Sequence, residues 1–424
     1  MYLFYSFLLT LAFLGGLPFF LYRGLRTGKY WPSLRERLGF LPASLNADGT
    51  PSIWVHAVSV GEVIATRPIL PLLRERFANT PIFVSVTTLT GRQVAERQLR
   101  KADGIFYCPF DWAWIVRRVV RRVRPRALLL VDTEIWPHLI RTCHDAGAVT
   151  MLVNGRISDA SYPRYRMIRP FMRRFLQEID SFCMQSPRYR ERIIDLGAES
   201  KRVESVGSLK FDADVADQGQ PSAAAQLIPI GRPVIVVGST LAPEEEILIE
   251  TFGELRKEYS DLFLIVAPRH PDRFDEVAAL ASSFGWNVVR RSALDAPAVE
   301  ADVMILDTMG ELASVYARAD IVFVGGSLAT WGGHNLVEPA IVGKPIVFGP
   351  HMSNFKEMAR LFLEAEAAIQ VNGREELTGA LAELMKLPDR RVMLGQNARE
   401  LVRANRGAGR RTVEIAHRLM EGVR

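Results

Sequence analysis

Three cysteines, Cys108, Cys143 and Cys183, are all that 424 residues contain, and no two form a CxxC pair. The odd count and wide spacing exclude a disulfide framework and a thiolate metal site, and fit reduced core residues of a cytosolic fold. Also missing are an internal repeat with a period of roughly 20–50 residues and any helix-turn-helix, KH or RNP signature. These absences argue against a solenoid and against a nucleic-acid partner. What is present is 48% hydrophobic and 24% charged side chains, with a mean hydropathy of +0.07. That composition excludes a disordered or collagen-like chain, and the length suggests two domains.

The net charge of +6 conceals an asymmetry. Residues 1–210 hold 31 Lys and Arg against 17 Asp and Glu, whereas residues 211–424 hold 22 against 30. A basic half joined to an acidic half points to an anionic partner for the first half alone. No charged residue precedes Arg23, and Arg23, Arg26 and Lys29 follow the apolar run at once. About 20 apolar residues span a bilayer as a helix, so residues 1–22 qualify as a membrane anchor, and the basic flank places the rest of the chain in the cytosol. No basic n-region or A-x-A site marks a cleaved signal peptide. The rival is a buried or interfacial helix, to which Gly15, Gly16 and Pro18 are suited.

Beyond the anchor, short apolar runs alternate with helical patterns. Ile53–His56, Ile82–Val86, Ala127–Val131 and Val149–Val153 come in the first half. Val234–Val237, Leu262–Ala267, Val303–Leu306, Ile321–Val324 and Pro345–Phe348 come in the second. Runs this short, rich in Val and Ile, fit strands buried on both faces of a parallel sheet. The expected fold is α/β, with two Rossmann-like domains facing each other across a cleft. Expected boundaries are 23–211 for the first domain, 212–230 for a linker, 231–400 for the second domain and 401–424 for a C-terminal helix. The Arg-rich end of the chain is placed to pack back across the cleft.

Chemistry in such folds sits beyond the carboxyl ends of the strands. Glu62, in Ser59-Val60-Gly61-Glu62, lies there as a candidate general base. Ser59-x-x-Glu62 is equally a capping box, in which the helix N-terminus would lower the Glu62 pKa. Asp132 and Glu134 follow another buried run, and the rival to a functional role is a pair of helix N-terminal acids before Pro137. Lys210, in Gly207-Ser208-Leu209-Lys210, suits an anionic donor or is simply solvated. The second half carries Gly238-Ser239-Thr240, Ala267-Pro268-Arg269-His270, Asp307-Thr308-Met309-Gly310-Glu311, Gly325-Gly326-Ser327 and Gly332-Gly333-His334-Asn335. Backbone N–H groups at strand-to-helix turns bind phosphate, Arg269 offers a fork for it, and Glu338 is placed for ribose hydroxyls. Several such loops together point to nucleotide binding, where a single one would only mark tight turns. The arginines from Arg117 to Arg126, with Arg164, Arg166, Arg169, Arg173 and Arg174, read as contacts to anionic head groups beside the anchor, or as a solvated face.

Assembled in order, these segments resemble the Kdo transferases, GT-B glycosyltransferases. That family moves 3-deoxy-D-manno-oct-2-ulosonic acid (Kdo) from CMP-Kdo to the lipid A precursor, lipid IVA, of Gram-negative bacteria. The likeness runs through the anchor, HAVSVGE, TLTG, DTEIWP, GSLKFD, APRHPDRF, DTMGEL, FVGGSL and GGHNLVEP, and so covers nearly the whole chain. It implies Glu62 as catalytic base in an inverting transfer, with Asp132 and Lys210 stabilising the transition state. Relatives often carry glutamate at the first of these, so Asp132 is a departure that leaves Glu134 as an alternative. It implies CMP contacts at Pro268, Arg269, Met309, Gly310, Glu311, Asn335, Leu336, Val337 and Glu338. It also implies chemistry without a metal or other cofactor, at the cytoplasmic face of the inner membrane. The implied partners are CMP-Kdo, the lipid A precursor and an anionic membrane surface, without nucleic acid. Two alternatives stay open: another nucleotide-sugar enzyme of this fold, such as a UDP-sugar transferase or non-hydrolysing epimerase, and a membrane-tethered nucleotide-binding module.

Overall fold

The computed structural model describes residues 1–27, 31–212 and 223–422. Lys29, Arg424 and 213–222, which hold most of the expected linker, lie outside the described residues. The chain divides into two compact units, Met1–Ala213 with Arg406–Arg424, and Asp214–Asn405.

The first unit carries a parallel sheet of β1 (Ser52–His56), β2 (Ile82–Val86), β3 (Gly104–Tyr107), β4 (Pro125–Val131), β5 (Val149–Gly155), β6 (Ser181–Met184) and β7 (Val203–Ser205). Their order is β3-β2-β1-β4-β5-β6-β7. Alternate residues feed opposite faces. Ile53, Val55, Leu129 and Val131 enter one apolar cluster, and Trp54, Leu128 and Leu130 the other. Both faces are therefore covered, which is why the strands read as near-continuous apolar runs. The order reverses between β1 and β4, paired in register with His56 opposite Leu130. The loops after these two strands leave in opposite directions and open a crevice at the switch point.

The second unit repeats the plan with β8 (Val234–Thr240), β9 (Phe263–Pro268), β10 (Val288–Arg290), β11 (Val303–Ile305), β12 (Ile321–Val324), β13 (Ile346–Phe348) and β14 (Ile369–Gln370). The order is β10-β11-β9-β8-β12-β13-β14, again all parallel, with the switch point between β8 and β12.

The unit boundaries depart from those read in the sequence. Residues 223–230 belong to the second unit: Ala224 and Ile228 are buried, and Ala224 N–H bonds the Glu311 carboxylate at 3.0 Å. Asp212 belongs to the first, where its carboxylate accepts the N–H groups of Gly407 and Gly409 at 2.7 and 2.6 Å. The long helix Pro388–Asn405 ends the second unit, and the final helix, Ala408–Gly422, starts after a break at Gly407. That final helix buries Ala408, Val413, Ile415, Ala416 and Met420 against one face of the first sheet.

The N-terminal helix runs from Tyr2 to Thr27. Its half-buried positions, 2, 5, 6, 9, 13, 16 and 17, repeat at helical spacing and mark one docking face. Tyr5 donates to Asp111 at 2.9 Å, Ser6 bonds the His138 Nε2 at 2.7 Å, and Trp112 Nε1 donates to Thr10 at 3.0 Å. The opposite face leaves Leu3, Phe4, Phe7, Leu8, Leu11 and Leu14 exposed, Leu3 at 88%.

Candidate active site

Glu62 lies where the sequence placed it, in the first turn of the helix Val60–Thr66 just beyond β1. Ser59 is the N-cap, and its hydroxyl donates to Glu62 Oε1 at 2.8 Å, while the Val58 N–H donates to Oε2 at 2.6 Å. The cap is therefore real, but it does not depress the pKa as expected. Glu62 is only 9% exposed, and burial raises its pKa from 4.5 to about 7 against the pull of those two hydrogen bonds. Glu134 and Asp132 add a smaller push in the same direction. A carboxylate poised near neutrality suits general-base work.

Asp132 follows β4 directly across the switch point. It stands at φ +61°, a left-handed conformation that short polar side chains tolerate. Its Oδ1 accepts from Asn154 Nδ2 at 2.7 Å and Gln185 Nε2 at 3.5 Å. Burial pushes the Asp132 pKa up, opposed by Arg156, Lys210 and the Asn154 bond. Lys210 sits in the short helix Leu209–Asp212, which Asn154 fixes by accepting the Leu209 N–H at 3.0 Å. Burial lowers the Lys210 pKa, and Asp132 counters it. Glu134 accepts from Trp136 Nε1 at 2.9 Å, and burial raises its pKa. The first unit thus brings Glu62, Asp132, Glu134 and Lys210 to one end of one sheet. Asn154 and Gln185 are the residues that sequence reading missed. Asn154 lies near the end of β5, which pairs with β4, and Gln185 follows β6, the next strand out, so the strand-end rule applied to β5 and β6 would have found them. Among the described residues no group of three His, Cys, Asp or Glu side chains is placed to hold a metal.

In the second unit the glycine loops divide into two kinds. Gly238 to Thr240 is strand rather than turn, and its carbonyls are used: Gly238 by the Gly325 N–H at 2.8 Å, Thr240 by the Arg269 N–H at 2.9 Å. The helix that follows, Glu244–Arg256, carries Glu244, Glu245 and Glu246 in its first turn. Buried Glu244 accepts the Leu241 N–H at 2.9 Å, the Leu328 N–H at 3.3 Å and the Gly326 N–H. The Gly325-Gly326-Ser327 loop is therefore poorly suited to cradle a phosphate, because the Gly238 carbonyl holds the Gly325 N–H and the Glu244 carboxylate holds the Gly326 N–H.

The loop 307–311 is open, whereas Gly332 and Gly333 are buried, with an added Cβ on either running into Asn354 or Met352. Met309 is 66% exposed, and a Cβ on Gly310, at φ +89°, would meet nothing. Glu311 is engaged by Arg291 at 3.1 Å and by the Ala224 N–H and Thr308 hydroxyl. Burial would raise the Glu311 pKa, but these partners hold it below the ordinary value. Pro268 ends β9 in the core, and Arg269 beyond it is exposed. Leu336 and Val337 have buried side chains, so any ligand contact there is through the backbone, and Asn335 Oδ1 takes the Val337 N–H at 3.1 Å. Glu338 is half-buried in the first turn of the helix Val337–Ile341. His334 is a further residue that sequence reading left without a role. Burial, with Arg269 and His270 nearby, lowers its pKa to about 4, so the ring is neutral. Its Nε2 lies against Gly326, where an added Cβ would come within 3.0 Å.

The family model for 3-deoxy-D-manno-octulosonic-acid transferase (kdotransferase) matches residues 32–213, the stretch that carries Glu62, Asp132 and Lys210. A 3-deoxy-D-manno-octulosonic acid transferase of Bordetella pertussis is 35% identical over 92% of this chain and 93% of its own. The chain belongs to this family. A Haemophilus influenzae member is 30% identical over 97% of this chain and 96% of its own. This Kdo transferase is accordingly a glycosyltransferase of lipopolysaccharide biosynthesis. Its fold is shared with a UDP-GlcNAc 2-epimerase of Neisseria meningitidis, at a TM-score of 0.58 and 14% identity over 86% of this chain and 98% of that one. A glycosyltransferase of Rickettsia africae gives a TM-score of 0.54 at 12% identity, over 87% and 99%. Those likenesses concern the fold, and the family match separates this Kdo transferase from the epimerase alternative.

Proposed function

We propose that this Kdo transferase moves Kdo from CMP-Kdo to the lipid A precursor, lipid IVA, with inversion and with Glu62 as general base. The observation that carries the reading is Glu62 itself, a carboxyl group at a sheet switch point with a pKa of about 7. Ionised Glu62 accepts the proton of an acceptor sugar hydroxyl as that oxygen attacks the anomeric carbon of Kdo. The bond to the CMP phosphate breaks ahead of attack, so positive character develops on the Kdo ring. Asp132, oriented by Asn154 and Gln185, answers that charge, and Lys210 is its counter-ion. On the donor side Arg269 meets the charge left on the CMP phosphate, and Met309, Gly310, Asn335 and Glu338 surround the nucleotide, with Pro268 and Glu311 shaping its walls, Leu336 offering its backbone and Val337 holding Asn335 in place through its N–H. Cationic side chains and backbone dipoles supply the stabilisation, so no metal step is invoked. Incubating the full chain with CMP-Kdo and lipid A precursor, then weighing the lipid by mass spectrometry, tests the reading. A mass gain of one or more Kdo units is expected, and no gain sinks it. CMP should also compete for the donor site better than UMP.

We also propose attachment to the cytoplasmic face of an anionic inner membrane, without nucleic acid as partner. Support comes from the apolar outer stripe of the N-terminal helix and from exposed Met167, Ile168 and Phe171 beside Arg164, Arg166 and Arg169. Phe4 stacks on Phe171 at 6.2 Å, so the two apolar surfaces are continuous. A helix docked along one face and apolar on the other is built to lie in an interface. The arginine run contributes less than its sequence suggests. Arg118 bonds Leu38 O at 3.2 Å, Arg124 bonds Gly49 O at 2.7 Å and Arg126 bonds Met420 O at 3.1 Å, while Arg122 donates to Ala43 O. Protein lacking residues 1–22 is expected to keep binding anionic vesicles, at roughly 1 kcal/mol per surface basic residue, and to lose that binding as salt rises. Co-sedimentation that ignores salt, or fails at low salt, would contradict this.

A further inference from the structure

The helix Pro137–Asp145 carries the site loop 132–136 on its N-terminal end, and that end cannot cap itself. Trp136 stands at the N-cap with no side-chain acceptor, and Pro137 has no N–H to offer. The next donors, the N–H groups of His138 and Leu139, bond Asp111 at 3.0 and 2.8 Å. Asp111 comes from the loop after β3 and is 3% exposed. It is a helix cap supplied from a distance.

The same carboxylate accepts the hydroxyl of Tyr5, from the N-terminal helix, at 2.9 Å. One residue on, Ser6 bonds His138 Nε2 at 2.7 Å, and the rings of Tyr2 and Tyr5 flank His138 at 5.6 and 5.4 Å. The N-terminal helix therefore grips the cap and the first turn of Pro137–Asp145 together. On the other side of that turn, Trp136 packs edge-on against His56 at 6.2 Å and donates to Glu134. His56 ends β1, two residues before the Val58 N–H that holds the Glu62 carboxylate.

We propose that the N-terminal helix is a positioning element of the acceptor-side site, acting through Tyr5, Asp111 and His138 on the loop that carries Asp132 and Glu134. This deepens the Glu62 reading and rests on it. When the helix is seated, Tyr5 completes the hydrogen bonding of Asp111, and Asp111 pins the start of Pro137–Asp145. The loop then presents Asp132 and Glu134 beside Glu62 in one geometry. When the helix leaves its seat, Asp111 loses a donor, the cap loosens and the loop loses its fixed end. The segment that meets the lipid surface thereby sets the alignment of the reacting groups.

The test uses the full chain with Tyr5→Phe, which keeps the ring and removes only the hydroxyl, and Asp111→Asn, which leaves one acceptor oxygen for three donors. Tyr2→Phe is the control, because its hydroxyl bonds Glu178 and not the cap. Hydrogen exchange of residues 132–139 is expected to quicken about tenfold in Tyr5→Phe and further in Asp111→Asn, with the rest of the first unit unchanged. The kcat for Kdo transfer should fall about tenfold while KM for CMP-Kdo holds, since misalignment of reacting groups costs rate rather than donor binding. Tyr2→Phe should change neither. Unchanged exchange, unchanged kcat, or a general loosening of the first unit in Tyr5→Phe would each overturn the proposal. Glu62→Gln separates it from the reading it rests on. A fully active Glu62→Gln protein removes the base and leaves the exchange result standing, whereas failure of Tyr5→Phe leaves the base in place.

Discussion

Glu62→Gln is expected to lower Kdo transfer by at least about two orders of magnitude, within the range of roughly 10²–10⁴ that general-base catalysis supplies. Glutamine keeps the size of the side chain and one acceptor oxygen. The Val58 N–H, held at 2.6 Å in the native protein, can still be satisfied, and Ser59 can still accept the N–H of residue 62. Stability should therefore change by no more than about 1 kcal/mol. CMP affinity should hold, because the residues proposed to bind the donor belong to the second unit. The pH profile carries a second check. Burial holds the Glu62 pKa at about 7, so the group is protonated, and useless as a base, in mildly acidic solution. Native kcat should fall about tenfold per pH unit below that value. The residual rate of Glu62→Gln should lack this limb. The same shift acts oppositely on stability. A carboxyl group whose pKa is raised on folding stabilises the fold fully below its unfolded value of 4.5 and loses that contribution as pH rises through about 7. Near-normal transfer by folded Glu62→Gln protein would reduce Glu62 to a helix cap and reopen Asp132 and Glu134 as bases.

Glu244→Ala is expected to be the most destabilising single change in the second unit. The carboxylate is buried and accepts the N–H groups of Leu241, Gly326 and Leu328. Alanine leaves all three donors unpaired in a dry interior, at about 1–3 kcal/mol each. A loss above about 3 kcal/mol is a large share of a domain's stability and should lower the melting temperature by about 10 °C. Glu244→Gln retains an acceptor and should lose clearly less. Gly325→Ala should act on the same contact from the other side, since a Cβ there would come within 2.7 Å of both Glu244 Oε1 and the Ser239 carbonyl. Donor binding should weaken along with stability, because Glu244 shapes the loop against which His334 packs. Calorimetry on the three variants checks this. A native melting temperature for Glu244→Ala would mean that the loop finds other acceptors.

The inner strands were legible because each is a run of apolar residues buried on both faces. Ile82–Val86 and Ile321–Val324 match the runs read from the sequence residue for residue, and the other expected runs differ by a few residues at most. The strands that escaped are β3, β6, β7, β10 and β14. Four of them are short pieces toward the sheet margins with partly exposed residues, such as β10, half-buried throughout, and β7, buried only at Val203. A margin strand lacks the continuous apolar signal of an inner one. β6 is fully buried, but its Ser-Phe-Cys-Met sequence offers too little Val and Ile to stand out. The site was legible where its parts are local. Ser59 and Glu62 lie three apart, and the positions beyond β1 and β4 follow from strand ends. Asn154 and Gln185 stand 22 and 53 residues from Asp132, and Asp111 stands 27 from His138. No periodicity links residues at such distances.

What this sequence determined by itself, then, is the alternation that yields two parallel α/β sheets, the apolar N-terminal helix, and the placing of Glu62, Asp132 and Arg269 beyond strand ends. These follow from periods of two and 3.6 residues and from turn chemistry, all set by neighbours in the chain. The tertiary structure alone decided which charges are stable and which hydrogen-bond donors are free. It raised Glu62 instead of lowering it, spent the N–H groups of Gly326 and Leu328 on Glu244, and tied most of the arginine run to backbone carbonyls. It also seated the N-terminal helix on Asp111 and His138. Desolvation and hydrogen-bond completion depend on what closes over a group from elsewhere in the chain, and that is settled only when the chain has packed.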